Sequence, residues 1–411
     1  MQMRRLKILL LVAVLAVAAP ARAQDEVEAL VNQYTEAYDS LMNSFYMRRY
    51  AQTHSHRNRT IGAAEFDQVP DSVIAARLAS LHTVIPMTYN SEVRAYIRMY
   101  LNRMSTRLDV MQTLCEYYHP MFEEVLSRYD VPEELKYLPI VESAMNPKAT
   151  SRVGAAGLWQ FMYTTGKNYD LEVNSIVDDR RDPYKSTVAA AHFLSDLHTV
   201  FNDWTLAIAA YNCGPGNINK AIARSGGKRD FWEIYYYLPR ETRGYIPAFI
   251  AATYVMNFYT DHGLRCTNTS LPVRSDTIMV RHDLLFHYVS KVTGIEMDEL
   301  RTLNPQYRAD FIPASSGNYS LCLPVSKIKD FIMVEDTLYA QTRDSVSRRP
   351  VRMAKPQAQT SSSGGTVYYT VRSGDTLSKI ASKYGISVAT LKKRNGLSSD
   401  RIRVGQRLKI R

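Results

Sequence analysis

The sequence lacks the features that mark metal-binding and disulfide-rich proteins. Only four of its 411 residues are cysteine, namely Cys115, Cys213, Cys266 and Cys322, and no Cys-x-x-Cys pair or His/Cys cluster is present. Zinc sites need such spacings, and a chain of this length can build a core without disulfides. We therefore predict no metal and no cofactor. The cysteines stay open to two interpretations, buried thiols or two disulfides.

A long apolar run is lacking beyond the N-terminus, which argues against a membrane-spanning protein. A basic stretch at residues 4–7 precedes an apolar run at 8–19, and Ala-Arg-Ala at 21–23 is a typical cleavage pattern. The apolar run is short for a membrane span. We therefore predict a signal peptide over residues 1–23 and an exported, periplasmic protein. No cysteine stands at the cleavage point, so we expect no lipid anchor, whereas peripheral contact with a membrane stays open.

A basic run with interleaved aromatic residues is also lacking, and we therefore predict no nucleic-acid partner. Lys and Arg number 51 against 40 Asp and Glu, which gives a formal net charge of +11. This charge favours an acidic partner such as a cell-wall polymer or anionic lipid. Hydrophobic residues at 45% and charged residues at 22% are typical of globular proteins, and the length allows two or three domains.

Helical periodicity dominates the first two thirds of the chain. Apolar residues recur at helical spacing over residues 25–50, 73–85, 93–108, 110–129, 186–201 and 248–259. Pro120 is expected to break the fourth of these helices. Short strands flank two helices at 277–324 and again at 367–411, and residues 341–366, rich in Ser, Gly, Gln and Arg, predict a flexible linker between the two units.

Residues 130–162 contain the clearest candidate for chemistry. Pro132 and two following acids favour a helix start, and Leu135, Leu138 and Glu142 then share one helical face. A carboxyl on an apolar stripe loses solvation, which raises its pKa and allows it to act as a general acid near neutral pH. The alternative is a solvated Glu142 at a fraying helix end.

The two strand-flanked units repeat one motif. Residues 290–295 (SKVTGI) parallel residues 382–386 (SKYGI), and later positions match as well: Ile295, Leu300 and Asn304 against Ile386, Leu391 and Asn395. A repeated small module beyond a catalytic-looking core predicts ligand tethering, because linked modules raise the local concentration of substrate.

Residues 367–411 resemble a LysM module. The matching residues are Tyr369, Val371, Gly374, Asp375, Thr376, Leu377, Ile380, Ala381, Asn395 and Gly396. The resemblance implies a βααβ fold that binds glycans containing N-acetylglucosamine. The expected glycan contacts are Gly374, Asp375, Thr376 and Asn395. Residues 277–326 are similar but lack the Gly-Asp-Thr-Leu segment, so we expect a degenerate module there.

Residues 69–259 resemble the membrane-bound lytic murein transglycosylase D family, whose core is similar to goose lysozyme. The matching motifs are Glu142-Ser143, Ser151-x-x-Gly154-Ala155-x-Gly157-Leu158-Trp159-Gln160-x-Met162, Asp182-Pro183, Ala210-Tyr211-Asn212 and Glu241-Thr242-Arg243-x-Tyr245-x-Pro247. Tyr163 stands where the family often has Pro, and Pro139 is expected to bend the helix before Glu142. The implied fold is mainly α, with a helical region at 24–115, a lysozyme-like (α+β) domain at 116–265 and the small βααβ modules after it.

The resemblance also implies roles for the matching side chains. Glu142 is expected to be the catalytic acid and then the base. The expected substrate-binding residues are Ser151, Gln160, Met162, Tyr211, Asn212 and Tyr245, with the two tyrosines also supporting the carboxyl. The implied reaction cleaves the β-1,4 bond between N-acetylmuramic acid and N-acetylglucosamine in peptidoglycan strands. The substrate's N-acetyl group replaces a second carboxylate, and the muramyl 6-hydroxyl closes on C1 to give a 1,6-anhydro product without water.

Two alternatives stay open. Asp178, Asp179 and Asp182 alternate with arginines, and a second carboxylate among them would make the protein a muramidase-type hydrolase. The simpler interpretation is that these acids cap a helix and pair with their neighbours. The other alternative is a non-catalytic peptidoglycan-binding protein. Trp159 is expected in the core, and the sequence does not predict an oligomeric state.

Overall fold

The computed structural model describes residues 25–36, 66–264, 274–348 and, with gaps, 368–410. Two compact units divide the chain, residues 1–347 and 348–411. The predicted signal peptide at 1–23 lies outside the described residues. Among the helices that are described, none is long and apolar enough to cross a bilayer.

The first unit begins with a helical domain. Residues 25–36 are helical. The α-helices that follow are α1 (Asp71–Ser80), α2 (Ser91–Arg103), α3 (Ser105–Arg128), α4 (Leu138–Ser143), α5 (Tyr163–Asn168), α6 (Pro183–Phe201), α7 (Trp204–Cys213), α8 (Pro215–Arg224), α9 (Phe231–Ile234), α10 (Arg240–Arg243) and α11 (Tyr245–Phe258). Short 3₁₀ turns lie at Glu133–Tyr137, Asp179–Arg181, Tyr235–Tyr237 and Thr260–His262. The predicted mainly helical domain is confirmed.

Helix α11 is the buried centre of this domain. Every residue from Tyr245 to Met256 is buried, so the helix has no solvent-facing side over these three turns. Helices α2, α4 and α7 pack against it. Because α4 and α7 end with the segments that contain Glu142 and Tyr211, packing against one common helix brings these two segments together.

Aspartate caps fix the hairpin of α6 and α7. The Asp182 carboxylate accepts the backbone N–H of Lys185 at 2.9 Å, and the Asp203 carboxylate accepts that of Leu206 at 2.8 Å. These bonds satisfy N–H groups that have no partner in the first helical turn. Asn202 closes α6 in the left-handed region at φ 51°.

The structure corrects two predictions about prolines. Helix α3 runs through Pro120 without ending there. Proline removes only its own N–H, and packing of α3 against α6 and the Glu133–Tyr137 turn holds the helix together on either side. Pro139 lies in the first turn of α4, where a missing N–H has no partner to lose. It therefore helps to begin a new helix after the 3₁₀ turn instead of bending a continuous one.

A LysM-like module completes the first unit. Its strands are β1 (Ser275–Val280), β2 (Leu284–Leu285), β3 (Phe311–Ile312) and β4 (Tyr319–Pro324), and its helices are α12 (Phe286–Thr293), α13 (Met297–Leu303), α14 (Val325–Ile332) and α15 (Glu335–Arg348). Strands β1 and β4 pair antiparallel from Ser275↔Pro324 to Val280↔Tyr319, and β2 pairs with β3. The predicted strand–helix–helix–strand order is present, with β2 and β3 as an additional short pair.

The second unit is a small βααβ module. Strands β5 (Tyr368–Thr370) and β6 (Arg407–Lys409) pair antiparallel, and α16 (Leu377–Lys383) and α17 (Val388–Asn395) lie between them in sequence. A separate core of buried side chains fills it: Val371, Leu377, Ile380, Ala381, Leu391, Leu408 and Ile410. The predicted βααβ order is confirmed for the described residues.

One asparagine in each module joins its second helix to its last strand. Asn304 Nδ2 donates to the carbonyls of Leu300 and Cys322 at 2.9 Å, and its Oδ1 accepts the Cys322 N–H at 2.7 Å. Asn395 makes the same three bonds, to the carbonyls of Leu391 and Lys409 and from the Lys409 N–H. The sequence repeat that pairs Asn304 with Asn395 is therefore a structural repeat.

The predicted linker at 341–366 begins within a helix. Helix α15 extends to Arg348, so the first eight residues of that range are helical. Thr342 is fully buried in the first unit, and its hydroxyl accepts the backbone N–H of Leu285 at 3.3 Å. The polar composition of residues 341–366 as a whole predicted a linker and gave no sign of the helix that ends at Arg348. The remainder of the predicted linker, residues 349–366, lies outside the described residues.

Candidate active site

Glu142 lies at the last turn of α4, where the chain leaves the helix abruptly. Ala144 and Met145 both adopt left-handed conformations, at φ 53° and 60°, which are uncommon for residues other than glycine. The Ser143 hydroxyl donates to the Pro139 carbonyl at 3.0 Å and the Ala144 N–H to that of Ile140 at 3.1 Å. These bonds hold the helix end in one conformation, and the backbone that carries Glu142 is therefore fixed.

The carboxyl of Glu142 is removed from solvent. Burial raises its pKa from 4.5 to about 7, and a hydrogen bond donated by the Tyr245 hydroxyl to Oε1 acts in the opposite direction. The residue as a whole is half-buried. The predicted raised pKa from lost solvation is confirmed, and the alternative of a solvated side chain at a fraying helix end is wrong.

Two tyrosines flank this carboxyl. Tyr245 is the first residue of α11 and is buried. Tyr211, near the end of α7, donates its hydroxyl hydrogen to the Trp159 carbonyl at 2.7 Å. Burial and the neighbouring negative charge of Glu142 raise the pKa of both hydroxyls well above 10, so both stay protonated as hydrogen-bond donors.

Residues 154–162 form a tight turn, which we call the groove turn. Ala156 and Phe161 exchange two backbone hydrogen bonds across it, at 3.0 and 3.1 Å. Gly157 has φ +87°, and a Cβ there would lie 1.7 Å from the Arg180 carbonyl oxygen, so only glycine fits. Gln160 is left-handed at φ 48° and donates from Nε2 to the Gly157 carbonyl at 2.8 Å.

The other predicted substrate-binding residues lie around this turn. Met162 exposes 43% of its surface at the end of the turn. Ser151 is half-buried before the turn, and its Oγ accepts the Ala155 N–H at 3.0 Å. Asn212 is exposed beside Tyr211, and its Oδ1 accepts the Thr242 hydroxyl at 3.0 Å. The structure thus joins Glu142 directly to Tyr245, whereas Ser151, Gln160 and Met162 lie in or next to the groove turn.

The candidate second carboxylates are occupied elsewhere. Asp178 is fully buried and pairs with Arg180 at 2.8 Å, Asp179 pairs with Lys185 at 3.0 Å, and Asp182 caps α6. The interpretation of these acids as capping and paired residues is confirmed. Among the described residues, the pKa of Glu142 responds to burial and to Tyr245, and no neighbouring carboxylate contributes to it.

Some supporting residues were not singled out from the sequence. Arg180 Nη1 donates to both the Gly154 and the Phe161 carbonyls, at 2.9 and 3.1 Å, and so holds the two ends of the groove turn. The Tyr34 hydroxyl donates to the Val141 carbonyl at 3.1 Å, next to Glu142 in the chain. Neither residue has a pattern of its own in the sequence, because both act on backbone carbonyls that only the fold brings near.

Trp159 belongs to the core, as predicted. It is fully buried, and its indole N–H donates to the Thr187 hydroxyl at 2.9 Å. The residues that the structure describes contain no group of three His, Cys, Asp or Glu side chains that could hold a metal ion. Cys213 and Cys322 are thiols, which favours the first interpretation of the cysteines for these two, and Cys266 lies outside the described residues.

The predicted glycan contacts of the C-terminal module divide into three groups. Gly374 lies outside the described residues. Asp375 accepts the Tyr369 hydroxyl at 2.7 Å at the half-buried start of the first helix, and Thr376 beside it is exposed. Asn395 uses its amide for the three backbone bonds given above, so its side chain serves the module's own structure. We therefore remove Asn395 from the set of expected sugar contacts.

Three segments match known domain families. Residues 120–234 match the transglycosylase SLT domain, residues 274–340 the LysM-like domain of lytic transglycosylase MltD, and residues 369–411 the LysM domain. These segments coincide with the domain around Glu142 and with the two small modules.

One relative decides the family. The membrane-bound lytic murein transglycosylase D of Escherichia coli (strain K12) is 32% identical over 326 residues, which are 78% of this chain and 69% of that protein. The chain belongs to this family. The soluble lytic murein transglycosylase of the same strain is 30% identical over 141 residues, 33% of this chain and 22% of that one. The crystal structure of the 70 kDa soluble lytic transglycosylase from E. coli covers 59% of this chain, and the chain covers 44% of it, at 19% identity and a TM-score of 0.33.

Family membership makes the chain a lytic murein transglycosylase with a LysM peptidoglycan-binding region. The predicted family, fold class and enzyme class are confirmed. The segment that matches the transglycosylase SLT domain contains Glu142, and the βααβ modules follow it on the C-terminal side.

Proposed function

We propose that this transglycosylase cleaves the β-1,4 bond between N-acetylmuramic acid and N-acetylglucosamine with Glu142 as its single acid and base. The observation that supports this role is a carboxyl removed from solvent, whose pKa is raised to about 7 and whose direct hydrogen-bond donor is Tyr245. A carboxylic acid with a pKa near the working pH is present in both protonation states, as a group that gives and later takes a proton must be.

The first step is protonation of the glycosidic oxygen. Tyr245 donates to Oε1, which leaves Oε2 of Glu142 to hold the transferable proton. As the C1–O bond breaks, the departing N-acetylglucosamine leaves as an alcohol and positive charge develops at the muramyl C1. Removal from solvent favours the neutral acid before this step, and the Tyr245 hydroxyl stabilises the carboxylate that the step produces.

The second step is ring closure within the substrate. Asp178, Asp179 and Asp182 are committed to their own partners, so the N-acetyl group of the substrate supplies the electron pair that stabilises C1. The Glu142 carboxylate then takes the proton of the muramyl 6-hydroxyl, whose oxygen bonds to C1 and displaces the N-acetyl oxygen from it. The product is a 1,6-anhydromuramyl end, the acid is regenerated and no water is consumed.

The groove turn and the end of α7 provide the sugar-binding walls in this proposal. Met162 and Asn212 offer exposed side chains, and Ser151 and Gln160, which precede Met162 in sequence, are half-buried. Tyr211 connects the two walls, since its hydroxyl bonds to the Trp159 carbonyl within the groove turn. These residues orient the glycan so that its glycosidic oxygen meets Glu142.

The C-terminal LysM module keeps the enzyme on its insoluble substrate. Asp375 and the exposed Thr376 are the described residues that we retain as sugar contacts. Peptidoglycan is an acidic polymer of the envelope, and the net charge of +11 favours association with it. We place the enzyme in the periplasm on these grounds together with the predicted signal peptide.

Digestion of purified sacculi tests the proposal. We expect mass spectrometry to find 1,6-anhydromuramyl ends with the wild-type protein and none with Glu142→Gln, because the amide keeps the shape of the side chain but cannot transfer a proton. Reducing muramyl ends would instead indicate a hydrolase. Soluble fragments from the Glu142→Gln protein would show that another residue is the acid.

A further inference from the structure

Residues 176–178 of the catalytic domain bond to the backbone of the LysM-like module. The Asp178 N–H donates to the Gln306 carbonyl at 2.9 Å, and the Arg308 N–H donates to the Ile176 carbonyl at 2.7 Å. Val177 is fully buried and packs in the core of the module rather than in that of its own domain. The segment therefore lies in the module like an added strand.

A charged contact lies beside these backbone bonds. Arg308 Nη2 donates to Asp178 Oδ2 at 2.8 Å. The same carboxylate receives Arg180 twice, Nε on Oδ1 at 2.8 Å and Nη2 on Oδ2 at 2.9 Å. Two guanidinium groups thus hydrogen-bond to one carboxylate that has no solvent exposure, and Arg181 Nε lies 3.7 Å from its Oδ2 without such a bond. A buried carboxylate needs such donors, because water cannot replace them.

The Arg180 guanidinium connects Asp178 with the groove turn. While Asp178 holds Nε and Nη2 of Arg180, the remaining Nη1 donates to the carbonyls of Gly154 and Phe161, the two ends of the groove turn. The turn also contacts the backbone of Arg180, since a Cβ on Gly157 would meet its carbonyl oxygen. This one guanidinium therefore supports the turn from outside, in addition to the bonds within the turn.

We propose that Arg308 of the LysM-like module is a positioning residue for glycan binding, acting through Asp178 and Arg180 on the groove turn. Its guanidinium fixes Asp178, the carboxylate fixes the plane of Arg180, and Arg180 fixes the turn that carries Gln160 and Met162. The degenerate module is thus part of the catalytic unit, whereas tethering to the wall is left to the C-terminal module. This inference rests on the proposed function for its kinetic part only.

The module offers two matched controls. Arg301 pairs with Asp298 and Asp310 inside the module, at 2.7 and 2.8 Å, so Arg301→Gln removes the same charge without touching Asp178. Tyr319 donates its hydroxyl to Glu172 of the catalytic domain at 3.0 Å, so Tyr319→Phe weakens the same interface at a different point.

The first measurement is hydrogen–deuterium exchange of the full-length protein. In Arg308→Gln we expect amides of residues 154–162 to exchange about tenfold faster, since the turn loses its fixed support. Exchange in α11 stays unchanged. Both control variants keep the wild-type exchange of the turn. This measurement needs no turnover, so it tests the inference even if the proposed reaction is wrong.

The second measurement is turnover of short soluble glycan strands. We expect Arg308→Gln to lower kcat/KM by about 5- to 50-fold, mainly through KM, because binding and orientation depend on the groove turn. A partly unfolded preparation would lower kcat and leave KM unchanged, which separates the two causes. Arg308→Lys, which keeps the charge, recovers part of the loss and replaces Arg308→Gln if that variant does not fold.

Two results would overturn the inference. One is wild-type exchange at 154–162 together with wild-type KM in Arg308→Gln. The other is an equal loss in Arg301→Gln or Tyr319→Phe, which would assign the effect to the stability of the module as a whole.

Discussion

A single carboxyl performs both proton transfers in the proposed reaction, and its surroundings make this feasible. Burial raises the pKa of Glu142 to about 7, and Tyr245 limits the rise by stabilising the charged form. The two effects balance near neutral pH, where the acid and its conjugate base are both populated. At the scale of the residue, the chemistry therefore depends on one desolvated acid and one hydroxyl.

Replacing Tyr245 by Phe should shift the pH profile. Loss of the hydrogen bond to the carboxylate raises the pKa of Glu142 further, so the descending limb of kcat/KM, which reports the protonated acid, moves to higher pH. We expect kcat to fall by about tenfold or more, because the carboxylate formed in the first step loses its donor. The pH dependence of turnover on soluble glycan measures both effects.

Tyr211→Phe is the comparison for that experiment. The Tyr211 hydroxyl donates to the Trp159 carbonyl and not to Glu142. Its removal should therefore shift the descending limb of the pH profile of kcat/KM much less. A limb that stays in place in Tyr245→Phe would contradict the role of that tyrosine.

The Glu142 carboxyl should also destabilise the folded protein at alkaline pH. Its pKa is raised in the folded state, so between about pH 4.5 and 7 the unfolded chain binds fewer protons and stability falls as pH rises. Glu142→Gln removes this loss. We expect the variant to be more stable than the wild type by up to about 3 kcal/mol at pH 8, and similar to it at pH 4. Urea unfolding at both pH values measures the difference, and an equal difference at both would contradict the desolvation of Glu142.

At the scale of the element, the site depends on where helices stop and on one tight turn. Helix α4 ends directly after Glu142 in a left-handed conformation, and the groove turn contains Gln160 at φ 48°. Such conformations persist only when surrounding bonds hold them, and here the Ser143–Pro139 and Arg180–Phe161 bonds do so. The strained backbone thus lies beside the reacting group, where exact placement matters most.

Gly157→Ala should disrupt the groove turn far more than Gly154→Ala. Both glycines have φ near +90°, but a Cβ at 157 would lie 1.7 Å from the Arg180 carbonyl oxygen, whereas one at 154 meets nothing within 4 Å. We expect about 1 kcal/mol of destabilisation at 154 from the backbone conformation alone, and about 3 kcal/mol or more at 157 with loss of turnover. Thermal unfolding and activity assays compare the two variants, and equal effects would mean that the close approach to Arg180 is relieved at little cost.

At the scale of the whole molecule, the two βααβ modules are arranged differently. The LysM-like module lies against the catalytic domain and forms an ion pair with its buried Asp178, and the C-terminal module forms a unit of its own with its own core. Two modules with the same βααβ order therefore differ in their setting, because the first is bonded to the catalytic domain and the second has a core of its own.

Deleting residues 366–411 should separate wall binding from catalysis. We expect sacculus binding to weaken by about 10- to 100-fold, because the tether that raises local substrate concentration is lost, while turnover of short soluble glycan stays unchanged. Co-sedimentation with sacculi and kinetics on soluble strands measure the two properties. Added salt should lower the association rate of the intact enzyme with the acidic wall. Unchanged sedimentation after the deletion would contradict the tethering role.

Local signals in the sequence determined much of this protein. The apolar stripe around Glu142 indicated a raised pKa, the alternating charges at 178–182 indicated capping and pairing, and the spacing to Asn304 and Asn395 indicated a repeated module. Each of these depends on residues a few positions apart, whose interactions follow from helix geometry and solvation.

Contacts between distant segments were decided only by the tertiary structure. The sequence could not show that Arg308 and Arg180 both bond to Asp178, or that Tyr34 bonds to the helix segment before Glu142. It also could not show that tertiary packing keeps α3 helical at Pro120. It also suggested a sugar contact at Asn395, whose amide is bonded to backbone 14 residues away. In each case the deciding contact depends on how separate elements pack together, and no local pattern in the sequence shows it.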